Sequence, residues 1–317
     1  MTILQKLNLT FNILFICGFC ELSLDQKQQN IIIKSKMYRV WYTRLMPSII
    51  NAAVLLVDIK VAQYRSTYYS VTAILVDNSL TITMIFLFYM ISIVCIFKSK
   101  YHCTFLQKMH KFDDNLCIIL PNCQPIDSKN FFQKIYAELF AYAATTWISY
   151  FMFNYVVGAF SNIWNILRAL LFMFVYVGFG ILMLQIKCYA QMLSTRFDVV
   201  LVGISTSLKC KDNPNVYKIK DVSNLNKLIE MLEYLWKLKS VFGKTFGSVI
   251  IWILSFVFAI NIVSFFILIF YAQFRGMWSN DVFIWFIIAF VAPSCGPCVR
   301  LLIALDHLGH AVSTIYL

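Results

Sequence analysis

Thirty consecutive residues, Thr245 to Phe274, contain no Asp, Glu, Lys or Arg. An apolar stretch of that length is enough to cross a bilayer as a helix. The residues before it are amphipathic. From Asp221 onward, Leu225, Leu228, Leu232 and Leu235 recur at spacings of three, four and three, while Lys227, Glu230, Glu233, Lys237 and Lys239 take the other faces. No proline lies between Pro214 and Pro293, so nothing forces a helix to stop between the two halves. One helix over Asp221 to Tyr271 is expected, roughly 75 Å long at 1.5 Å per residue, against a hydrocarbon core of ~30 Å. A membrane helix that runs so far into water requires partners there.

Composition sets the class. A chain that is 60% hydrophobic, 17% aromatic and 13% charged is not a soluble globular domain. Span-length apolar runs, rather than alternating ten-residue segments, exclude a β-barrel and point to an all-α, multi-pass membrane protein. Six spans are expected. The first is centred on Leu45 to Val57 and contains Pro47; the second is Asn78 to Phe97; the third lies within Leu139 to Leu167; the fourth is Ala169 to Ile186; the fifth is Thr245 to Phe274; the sixth is Val282 to Val299, kinked by Pro293 and Pro297. The run Phe11 to Cys20 is too short to cross and reads as an interfacial or re-entrant segment.

With the amino terminus in the cytosol, the cytosolic segments hold 23 of the 27 Lys and Arg, and only Lys60, Arg65, Arg168 and Arg275 fall outside. That bias fixes the orientation and accounts for the net charge of +12 without nucleic acid. The chain then divides into a cytosolic amino-terminal segment (1–39), spans 1 to 4 (40–189), a cytosolic helical base (190–244), spans 5 and 6 (245–305) and a cytosolic tail (306–317). In the base, the stripe Ile186, Tyr189, Leu193, Phe197, Val200 and Ile204 carries span 4 downward, and Asn213-Pro214-Asn215 turns the chain toward the long helix. Two helices are therefore expected to project from the bilayer. Ten scattered cysteines give no disulfide framework.

Catalytic patterns are absent. Cys295-Gly296-Pro297-Cys298 matches a dithiol redox tetrapeptide, but that chemistry needs a thiolate at a helix start after a strand, and here the motif lies within an apolar span where a kink explains it. Asp306, His307 and His310 lack a fourth ligand for a metal. Gly243 and Gly247 form a small-xxx-small pattern expected to allow close helix packing. Charges inside spans are nearly lacking, which argues against ion-coupled transport. In the outer half of the bundle, Asn154, Tyr155, Trp164, Phe266, Tyr271 and Trp285 supply an aromatic surface with polar handles, the composition of a small-molecule site.

A cytosolic amino terminus, a weak first span and a long cytosolic segment before span 5 exclude the G-protein-coupled receptor layout. They resemble the insect chemoreceptor superfamily, and within it the gustatory receptors. The nearest stretch is Leu228 to Phe274, with a leucine-rich approach, the pair Phe246-Gly247 and a long aromatic span; the run TRFDVVLVGI from Thr195 is also similar. Lys244 stands where the family often has Asn. The family's Thr-Tyr to Gln-Phe signature, in a seventh span that lines the pore, has no counterpart before Leu317. The resemblance implies a taste receptor subunit in the plasma membrane of sensory neurons, a small-molecule tastant as ligand, a homo- or hetero-tetramer gating cations, and no cofactor or enzymatic activity. Alternatives are an odorant receptor of the same superfamily, a membrane transporter, and a truncated receptor without function.

Overall fold

A computed structural model describes residues 8–27, 30–65, 71–119, 129–156, 162–209, 219–275 and 287–313. Its elements are helix α1 (Asn8–Ile16), strands β1 (Leu22–Lys27) and β2 (Asn30–Ser35), helices α2 (Met37–Arg65), α3 (Val71–Ile119), α4 (Lys129–Val156), α5 (Ile163–Lys209) and α6 (Ile219–Arg275), a π-helical turn at Ile287–Val291, and helix α7 (Ala292–Ser313). Four of these helices, over Met37–Gln63, Thr81–Ile119, Ile163–Ser205 and Ser223–Phe266, are long and apolar enough to cross a membrane. The fold is that of a helical membrane protein. The long helix is unbroken, as its sequence predicts: α6 holds 57 residues and is about 85 Å long.

Cross-helix contacts set the directions. Asp58, late in α2, meets Arg168, early in α5, and Glu138, early in α4, meets Lys187, well along α5. Phe88 and Phe105 of α3 lie beside Phe179 and Tyr189 of α5, so α3 and α5 run parallel. Phe256, Phe246 and Trp236 of α6 follow the same ladder in reverse, against Phe179, Tyr189 and Phe197. Successive helices thus alternate in direction.

At one end, here termed the base, α3, α5 and α6 all continue together. Two projecting helices were expected and the structure has a third. Residues 98–119, beyond the expected end of the second span at Phe97, extend α3 and bury Phe105, Leu106, Met109, Phe112 and Leu116. Their spacing is helical, so the signal was present. Phe105 packs on Phe242 and Phe246, and Phe112 stacks with Tyr234, whose hydroxyl donates to the Lys108 carbonyl at 3.1 Å. The apolar stripe of α6 is thereby covered within the chain: Leu228, Leu235 and Leu238 are buried.

The amino-terminal run folds as a short helix tucked into the bundle rather than along its surface. Gly18, at φ +80°, ends α1. The Phe19 amide bonds the Leu14 carbonyl at 2.8 Å and the Gly18 amide bonds the Phe15 carbonyl at 2.9 Å. This is the Schellman pattern with glycine in the left-handed position. It drives Phe19 between Phe88 and Phe179, with ring centres 5.5 and 5.6 Å away. Arg39 then ties the segment down by donating to the Leu22 carbonyl at 2.7 Å and to Asn12 at 2.5 Å. The basic segment that follows pairs as an antiparallel hairpin from Leu22↔Ser35 to Lys27↔Asn30. The run Ile31 to Ile33 gives β2 its β-branched character.

Candidate functional site

Of the six residues expected to line an outer pocket, three have described side chains. Tyr155, Trp164 and Phe266 are on the exposed surface of α4, α5 and α6. Trp164 is held at the start of α5, where Asn162 caps the helix by accepting from the Trp164 amide at 2.9 Å. Asn154 and Tyr271 belong to α4 and α6, with side chains outside the described set, and Trp285 lies outside the described residues altogether. Gly243 and Gly247 are not held against another part of this chain, since a Cβ built on either meets nothing within 4 Å. Close approach occurs instead at Gly180. A Cβ there would lie 2.0 Å from the Tyr142 ring, so only glycine admits that ring.

Tyr142 joins three helices. Its hydroxyl lies 3.2 Å from the Tyr176 carbonyl on α5 and 3.2 Å from the Pro293 carbonyl on α7. The second acceptor has a covalent origin. Residue 297 is proline and has no N–H to bond the carbonyl four residues earlier, so the Pro293 oxygen is left for the tyrosine. Cys295 and Cys298 are free thiols on this same helix, and Asn261 of α6 reaches Ser294 at 3.0 Å. The tetrapeptide therefore sits within a helix that packs on its neighbours, preceded among the described residues by the π-helical turn. His310 faces Asp306 at 3.6 Å on an exposed surface, and among the described residues no three His, Cys, Asp or Glu side chains come together as a metal site.

Beside Tyr142 is a cavity of about 320 Å³ between α4 and α7, floored by α5. Glu138, Thr145, Ser149 and Arg300 give it polar edges, and Ile288 and Pro293 line its apolar side. Glu138 closes the end toward the base. Its carboxylate accepts from Lys187 Nζ at 2.7 and 2.8 Å and from Arg300 Nη1. Burial raises its pKa, but hydrogen bonds and charge from Lys187 and Arg300 outweigh that and hold the carboxyl below its ordinary value.

Two further ion pairs tie other helices to α5. At the end away from the base, Arg168 Nε meets Asp58 at 2.9 Å, Arg168 Nη2 donates to Thr81 at 2.9 Å, and the Thr81 hydroxyl lies 3.2 Å from Asp58. Within the base, Arg196 is wholly buried and grips Asp113 with two hydrogen bonds, of 2.8 and 2.7 Å. Its Nη1 also donates to the Met192 carbonyl at 2.6 Å. Helix α5 thus presents three cations to acids on α2, α4 and α3 in turn. Asp58, just past the centre of the first expected span, is buried against Arg168. Linear spacing gave no signal for these pairs, because each acid is 49 or more residues from its cation.

No protein-family model matches this chain, and a search of curated proteins finds no match either.

Proposed function

We propose that this chain is a taste chemoreceptor subunit of the insect gustatory type, a multi-pass protein of the plasma membrane with its amino terminus and base in the cytosol. The observation that carries the reading is α6: a single helix much longer than a bilayer is thick, whose far half packs with extensions of α3 and α5. A receptor that passes ligand binding to a channel in an oligomer needs rigid elements crossing from one compartment to the other, and these helices supply them. A small organic tastant binds in the outer half of the bundle, near Tyr155, Trp164 and Phe266. It acts by binding the open state more tightly than the closed one, since equal affinity for both states shifts nothing. The chain works as one subunit of a tetramer, alongside copies of itself or related receptors.

The test is electrical. Expressed with candidate partner subunits and exposed to a panel of sugars, bitter compounds and amino acids, cells should show a tastant-evoked cation current that is absent without this chain. Saturable, gradient-dependent uptake of a compound without such a current would make the protein a transporter instead. Epitope tags at residues 1 and 317 should be reached by antibody only after permeabilisation, and labelling of intact cells would reject the orientation.

A further inference from the structure

We propose that the groove between α4 and α7 is a phospholipid site, with one acyl chain lying along it and the lipid phosphate held by Arg300. The walls are made of small side chains. Ala292 and Gly296 are exposed along α7, and Ala141 and Thr145 along α4, with Leu184 of α5 at the floor. The groove follows α4 from Glu138 to Ser149, roughly 16 Å at 1.5 Å per residue. A volume of about 320 Å³ along that length, walled by small side chains, admits an extended hydrocarbon chain.

The charge at the groove's end selects the headgroup. Glu138, Lys187 and Arg300 together carry one net positive charge, which a phosphodiester neutralises. Lys187 is spent on the carboxylate, its side chain only 13% exposed, whereas Arg300 is 58% exposed. A guanidinium has five N–H donors in a planar fork, and a single one of Arg300's meets Glu138. The rest of the fork is free to take two phosphate oxygens, the geometry that arginine matches well. Arg300 also stands two turns along α7 from Ala292, so a bound phosphate lies at the groove's mouth and the chain runs away from the base. This site is separate from the outer-half pocket proposed for tastants and stands or falls without it.

The experiment is native mass spectrometry of the full chain extracted in mild detergent, counting phospholipid retained after detergent exchange. The wild type should keep one phospholipid per chain. Arg300→Gln should lower that occupancy tenfold or more, as loss of a charge-assisted hydrogen bond predicts. Gly296→Leu should do the same by filling the groove while leaving the charge in place. A Cβ at Gly296 meets nothing within 4 Å, so this variant should elute and show helicity like the wild type. Equal retention in the wild type and both variants overturns the site, as does a wild type that retains no lipid. Loss in the Arg300 variant alone refutes a chain in the groove, and a retained species without phosphorus refutes the headgroup.

Discussion

Helices α5 and α6 have similar lengths of apolar sequence and opposite fates. In the most apolar stretch of α5, 78% of residues are buried within the chain; in that of α6 the share is 33%. Hydrophobicity does not separate them, because lipid tails are as apolar as leucine and give no reason to prefer protein over lipid. Small and polar residues do. Gly178 lets Cys17 and Phe19 approach α5, and Gly180 admits Tyr142. Arg168, Gln185 and Arg196 are buried on α5 and require partners there. Helix α6 has one face packed within the chain, with Phe256 at 1% exposure beside Phe179, and another turned outward, with Phe258 at 70%. In a bilayer, apolarity decides which segments cross, while glycines and charges decide which of them becomes the hub.

The sharpest way to break this contrast is at Arg196. Arg196→Ala leaves the Asp113 charge without its partner and should cost about 3–5 kcal/mol, read as a lower thermal midpoint in detergent, whereas replacing both residues by apolar ones should recover most of the loss. On α6, Phe256→Ala should cost about 3 kcal/mol through the cavity left against Phe179 and Tyr176. Gly180→Ala forces the Tyr142 ring aside and should cost about 1–3 kcal/mol; in combination with Tyr142→Ala the two losses should fail to add.

A smaller effect concerns pH. The Glu138 carboxyl is held below its ordinary value of 4.5, so its contribution to stability is present above that pH and fades as pH falls through the lowered folded value. The melting temperature should drop more steeply on acidification in wild type than in Glu138→Gln. If the two slopes agree, the ion cluster is not linked to folding. The smallest change is expected at Phe258→Ala, within about 0.5 kcal/mol, since that ring is exposed rather than packed within the chain. A loss as large as that at Phe256 would mean that the outward face of α6 is covered by something.

Much of the fold was legible in order along the chain. The uninterrupted α6, the downward continuation of α5 and the short amino-terminal segment each follow from periodicity and from the positions of proline. The extension of α3, beyond the expected end of the second span at Phe97, carried the same kind of signal, in Phe105, Met109, Phe112 and Leu116. The hairpin at Leu22–Ser35 was less visible, as two six-residue strands have too little pattern to stand against a polar, lysine-bearing context. The groove was not legible at all. Its walls come from residues near 141 and near 296, and its charge from Glu138, Lys187 and Arg300, three positions that no local pattern connects.

The sequence by itself determined that this chain crosses a membrane as helices, that one of them runs far beyond the bilayer, and that its base is amphipathic. Those properties are set by neighbours in the chain: runs of apolar residues, a period of 3.6, the absence of proline. Tertiary structure alone decided that α5 is the hub, that Asp58, Glu138 and Asp113 each find a cation on it, and that Pro297 frees a carbonyl for Tyr142. Such pairings depend on which helix faces which. In a medium where every apolar surface is equally satisfied, only close packing and buried charge can choose among the possible neighbours.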